Sequence, residues 1–425
     1  MSAPTRPRAD RLPHPPMLAA FPFSLGLRVL APGDIRATQR QLDDFRQRYA
    51  HAGDPLADDV VAMMRRLPAG QGRQLFETAL EEGIDALADP PPELAAFFAQ
   101  VDAVPYWVDQ DQLDLAARAT MRTGLWGLLA ALPSFALMGG YLASRADKAL
   151  VATGDLQVKA PRRLVETASW WIEITSPGGT DRGAAGFTNA LRVRVMHAHV
   201  RAAMNRNPDW DHADWDAPVN QIHTAGTLTL FSMAGMVGCQ ALGLRFSARE
   251  RAAIYHLWRY VGWLMGVDPD LLPTNETDTW RLFWVEAATE FRPDQDSYRL
   301  GQALLHAIAP TIIPGTGPLA RTAGRLLTTY LASYSRLILG SGNAEILGLP
   351  ASTTGQTAVI ITAIVNRALE FLRMLVPGAT STATRFGQRS RTTAITSMIR
   401  RQRPDRTYSH HDPLNATSAT GEPPR

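Results

Sequence analysis

The chain has 425 residues, 45% of them hydrophobic and 20% charged, with 43 basic against 40 acidic side chains. That is ordinary globular composition with enough apolar material for a large core, and the near-even charge excludes wholesale nucleic-acid binding. A single cysteine, Cys239, excludes an intramolecular disulfide and a cysteine zinc cage; its apolar setting reads as an inert buried thiol.

In chain order, "MSAPTRPRADRLPHPP" carries proline and arginine with no apolar signal region, so residues 1–16 read as a disordered tail and a cytoplasmic protein is expected. Length alone suits roughly two to four average domains. Helical periodicity continues through "PPELAAFFAQVDAV" and "QLDLAARATMRTGLWGLLAAL", then "ARERAAIYHLWRYVGWLMGV" and "TGQTAVIITAIVNRALEFLRMLV". Gly, Pro and Asp clusters punctuate it, as in "TSPGGTDRGAAG". The expectation is all-α: one large helical domain over 17–403, with a second disordered tail at 404–425.

Two stretches, 124–143 and 224–244, are apolar enough to test as membrane spans. Both hold many small and hydroxyl residues, Pro133 interrupts the first, and the mean hydropathy of the chain is only −0.12. Central helices of a soluble fold are the favoured reading, with membrane association a secondary one. The acidic "NPDWDHADWDAP" lacks the central glycine and terminal glutamate of a calcium loop, so it reads as a loop with helix caps. His223, His256 and His306 read as core or surface residues.

Two strings carry candidate chemistry. "RRLVETASWW" puts Arg163 and Thr167 on one helix face, with Glu166 three residues after Arg163. Spacing alone favours a surface Arg163–Glu166 pair; a guanidinium and hydroxyl over a pocket is the functional alternative. "RVRVMHAHVR" packs three arginines and two histidines onto Val, Met and Ala. At about 100° per residue, His197 shares its face with Val193 and Val200, flanked by Arg194 and Arg201, while His199 falls on the far side. The two histidines therefore cannot chelate one metal from a helix. One imidazole between two cations suits haem iron, which takes an axial histidine and cationic propionate partners. The pattern alone still favours a packed core histidine.

In order, these strings resemble the latex-clearing protein (rubber oxygenase) family and its mycophenolic-acid (MpaB-type) oxygenase relatives. "VPYWVD", "PVNQIHTAGTLTLFS", "LMGVDPDLLPTNETDTW" and "GNAEILGLP" extend the resemblance over roughly 100–350. It implies an all-helical, globin-like core around haem b, with His197 as the proximal iron ligand. Arg163 and Thr167 would lie on the distal side, and Arg194 and Arg201 would support the haem or its pocket. The implied reaction is O₂-dependent cleavage of a carbon–carbon double bond in an apolar, isoprenoid chain. Glu166 stands where some rubber oxygenases carry an iron-capping lysine, so a sixth position that is open or holds water is expected. The family's catalytic base would be Asp147 or Glu166, a carboxylate raised in pKa by an apolar pocket. A chain that stays inside the cell suits a small substrate better than polyisoprene. Two readings stand against this one: a non-enzymatic helical lipid-binding protein, and a haem protein without oxygenase activity.

Overall fold

Eight of the α-helices start where a side chain caps the first turn. The computed structural model describes residues 10–152, 154 and 156–403, and among these no strand occurs. Four short elements come first: α1 (Pro16–Ala19), α2 (Phe23–Leu30), α3 (Gln39–Tyr49) and α4 (Pro55–Arg66). Next come α5 (Gln71–Glu82), α6 (Pro92–Asp102), α7 (Gln110–Arg122), α8 (Met138–Gly140) and α9 (Ser144–Ala152). Two long helices, α10 (Leu156–Ile174) and α11 (Ala185–Met204), precede α12 (Gln221–Thr229), α13 (Gly235–Ala241) and α14 (Ala248–Leu264). The chain closes with α15 (Glu276–Thr289), α16 (Gln295–Ile312), α17 (Pro318–Leu339), α18 (Ser341–Ile346), α19 (Thr353–Leu375) and α20 (Ala379–Gln402). Thr38 with Gln41, and Ser247 with Glu250, form reciprocal capping boxes; Asp54, Asp109, Asn220, Asn275 and Ser352 each accept a bond from the first turn they precede.

The core centres on α10. Its Trp170 meets Phe231 edge-on at 5.6 Å and Trp258 at 6.0 Å, and those two rings stack with their planes 8° apart. The C-terminus of α10 is closed by Arg391 of α20, which is fully buried and donates to the carbonyls of Ile172 and Thr175. A cation at this end complements the helix dipole; burial pushes the Arg391 pKa down to about 10.

Both apolar stretches are core helices. Trp126–Leu137 and Leu230–Ala234 are π-helical, and they pack on one another. Gln110–Arg122 and Trp126–Gly140 meet at a 92° bend, and 67% of the apolar window in Gln221–Ala241 is buried. Close approach explains their small residues: a Cβ on Gly238 would lie 2.7 Å from the Tyr334 hydroxyl and 3.0 Å from Phe135.

Residues 10–16, assigned to a tail by composition, run along this body. The Leu12 amide bonds the Ala37 carbonyl at 2.9 Å, and Trp284 Nε1 donates to His14 Nδ1 at 3.0 Å. The expected C-terminal tail, 404–425, lies outside the described residues, as do residues 1–9.

Candidate active site

The five candidate side chains are spread over α8 to α11. α10 packs along α11, and α9 touches α11. Asp147 comes from α9, Arg163 and Thr167 from α10, His197 from α11 and Tyr141 from the turn after α8. His197 lies deep in the protein, yet part of its surface is left uncovered by side chains. Asp147 and Tyr141 share that combination. Deep residues with open surface border internal space.

Burial pushes His197 down to about 4, helped by the charge of Arg201 and opposed by Asp54. The imidazole is therefore neutral at physiological pH and has a lone pair to offer a metal. Burial drives Asp147 the other way, well above the usual carboxylate range, reinforced by Asp294. Its Oδ2 is buried with no hydrogen-bond partner. Tyr141 feels both Asp147 and Arg163, so the three form one electrostatic cluster; burial and Asp147 raise the phenol, and Arg163 opposes them. Burial lowers the Arg163 pKa, with Tyr141 and Glu166 acting against it. Arg163 thus lies at an interior position, whereas the sequence spacing favoured a surface one.

Glu166 separates from Asp147. Its Oε1 accepts from Arg162 Nε at 2.9 Å, one helical turn back, and the carboxylate is buried in that pair. Of the two candidate carboxylates, Asp147 is the one with a buried oxygen that has no hydrogen-bond partner. Lys148, adjacent to it, is bound to Asp294 at 2.5 Å and Asp296 at 2.7 Å. That lysine is committed to α16 and its cap.

Arg194 and Arg201 need a correction. The sequence reading offers them as cation partners for propionates; the structure pairs both with the protein's own carboxylates. Arg194 Nε and Nη2 grip Asp54 at 2.6 and 3.0 Å, Nη1 donates to Gln100 at 2.6 Å, and the guanidinium lies 4.7 Å over the Phe97 ring. Arg201 Nε bonds both oxygens of Asp58 at 2.8 and 3.0 Å, and Nη1 donates to the Val219 carbonyl. Asp54 and Asp58 are one turn apart at the start of α4, so two bidentate pairs clamp α11 to α4. A glycine makes room beside each. A Cβ on Gly266, at φ +75°, would lie 2.2 Å from Asp54 Oδ2, and one on Gly53 would lie 2.8 Å from Arg201 Nε. The arginines thus support the helix that carries His197.

Sequence reasoning missed this clamp and a second buried network. Asp216 accepts from Arg46 at 2.9 Å and from Arg145 of α9 at 3.4 Å, and Glu290 meets His223 Nε2 at 3.3 Å. Asp216 belongs to the acidic loop, so one of its acids anchors α9. Nothing in the loop sequence sets Asp216 apart from its neighbouring acids; in the structure it takes φ +59°. Among the described residues, no group of three or more His, Cys, Asp or Glu could hold a metal ion by itself. The neutral, partly uncovered His197 could offer a lone pair to a metal-bearing prosthetic group. Near Tyr141, a wholly apolar cavity of about 60 Å³ is lined by Phe135, Gly139, Leu142, Leu230, Phe283 and their neighbours.

The fold is all-helical, with a neutral, buried imidazole on α11 and, on α9, a carboxylate whose Oδ2 has no hydrogen-bond partner. The chain belongs to the family described as ER-bound oxygenase mpaB/B′/rubber oxygenase, catalytic domain, whose model matches residues 115–374. It is therefore an oxygenase-family protein. The structure titled latex clearing protein in the closed state is similar in fold, with a TM-score of 0.59 at 19% identity, over 81% of this chain and 91% of that one. No curated protein matches by sequence.

Proposed function

We propose that the protein is a haem b-dependent oxygenase that cleaves a carbon–carbon double bond in an apolar, isoprenoid-type substrate, using O₂. The observation that carries this reading is His197: a neutral imidazole with open surface, deep in an oxygenase-family fold. Haem b, when bound, supplies the O₂ chemistry that no side chain provides.

The chain's own residues do the rest. His197 holds the iron, and the Arg194–Asp54 and Arg201–Asp58 pairs fix the helix that presents it. Arg163 stays cationic and, with the Thr167 hydroxyl, donates toward negative charge developing on oxygen. Asp147, its pKa raised by burial, holds or accepts a proton at Oδ2. The apolar cavity lined by Phe135, Gly139 and Leu142 would suit part of an uncharged chain. Overall, the double bond breaks and each carbon end receives one atom of O₂ as a carbonyl. Glu166 is bonded to Arg162, and Lys148 to Asp294 and Asp296, so both side chains have partners of their own.

The test is oxygen uptake by haem-loaded protein with geranyl- or farnesyl-bearing compounds, using ¹⁸O₂. Label in both carbonyl ends supports the reading, and Arg163→Ala should slow turnover about a hundred- to thousandfold. Haem-loaded protein that consumes no O₂ with any prenyl compound contradicts it.

A further inference from the structure

Helix α19 is inverted in polarity. Its outward residues are apolar over three turns and more: Ile361 is 55% exposed, Ile364 64%, Leu372 54% and Leu375 63%. In its C-terminal half the buried residues are polar: Asn366 donates to the Leu242 carbonyl at 2.8 Å, and Glu370 accepts from the Arg245 amide at 3.1 Å. The helix cannot roll to correct this. A Cβ on Gly243 would lie 2.1 Å from the Ala363 carbonyl, so the α19 backbone is pressed onto that turn. Contiguous exposed apolar surface of this kind marks an interaction site.

Charge identifies the partner. Residues 315–403 hold eleven arginines and two glutamates, net +9 in a chain of net +3. Both glutamates are bonded to arginine, Glu345 to Arg336 and Glu370 to Arg373. Arg325 on α17, Arg367 on α19 itself and Arg385 and Arg389 on α20 are exposed, and both α17 and α20 pack against α19. We propose that this face docks on an anionic lipid bilayer, with α19 lying in the plane of the interface. Apolar side chains enter the headgroup region while the arginines meet lipid phosphate and carboxylate.

Other occupants fit less well. A second copy would set one strongly basic surface against another, because a two-fold interface is self-complementary. The chain beyond residue 403 offers Tyr408 and Leu414 as its large apolar side chains, too few to cover the face. Nor does the helix span: Asn366, Arg367, Glu370 and Arg373 sit within its 23 residues.

The experiment is co-sedimentation of the full chain with vesicles of two parts phosphatidylcholine to one part phosphatidylserine, and with phosphatidylcholine alone. The expected result is binding to the mixed vesicles that weakens with salt. Affinity should fall by at least about tenfold in the double variant Ile364→Glu, Leu372→Glu, and about fivefold for each of Arg385→Gln and Arg389→Gln. These side chains are already exposed, so circular dichroism should be unchanged. Absence of sedimentation, equal binding to neutral vesicles, or unaltered binding by the variants overturns the proposal. So does a dimer in solution that Ile364→Glu dissociates while vesicles go unbound.

Discussion

Helices α11 and α19 solve opposite problems. α11 is buried on nearly every side and brings arginines into the interior, each matched by a carboxylate from α4. α19, in its C-terminal half, buries polar Asn366 and Glu370 and leaves its apolar residues in solvent. Charge inside is tolerated where it is paired and hydrogen-bonded, and apolar surface outside points to a partner. One helix is thus specified by the fold around it, while the other looks outward.

That contrast breaks most severely at the clamp. Arg194→Ala leaves Asp54 as an uncompensated buried charge and should cost about 3–5 kcal/mol in a denaturant melt. Gly266→Ala attacks the same pair without removing a charge. A side chain at φ +75° meeting Asp54 should cost about 1–3 kcal/mol, with weaker cofactor retention as α11 shifts. At the other extreme, Ile364→Glu on α19 should change stability by no more than about 0.5 kcal/mol, because the side chain is largely exposed. A large loss there would mean that α19 is held by contacts absent from this structure.

Between these lies Asp147, where the prediction concerns pH. The folded protein binds this proton more tightly than the unfolded chain does. Its contribution to stability is therefore greatest below the unfolded value of 3.8 and falls as pH rises through the higher folded value. Asp147→Asn removes that fall, so the variant should melt above wild type at neutral pH and approach it in acid, while losing turnover. Thermal melts across that pH range check the sign; a variant less stable at neutral pH contradicts the assignment.

The sequence carried the all-α class, the capped helix starts and the stripe of α11, because these depend on residues a few positions apart. Asp54 and Asp58 were illegible as partners, since they lie 140 and 143 residues from the arginines they bind. The choice between Asp147 and Glu166 was equally hidden. Glu166 has Arg162 one turn away, but that the Asp147 Oδ2 is buried without a donor depends on distant elements. For α19, periodicity separates two faces of a helix without telling which faces in, and the hydrophobic rule would choose the wrong one.

The central claim is that His197 holds haem iron. Titration of the purified chain with hemin, followed by absorption spectroscopy, tests it most directly. Wild type should develop a sharp, saturable Soret band, and His197→Ala should lose it while keeping the same helical circular dichroism and melting cooperativity. A His197→Ala protein that binds hemin with the wild-type spectrum and affinity would contradict the account.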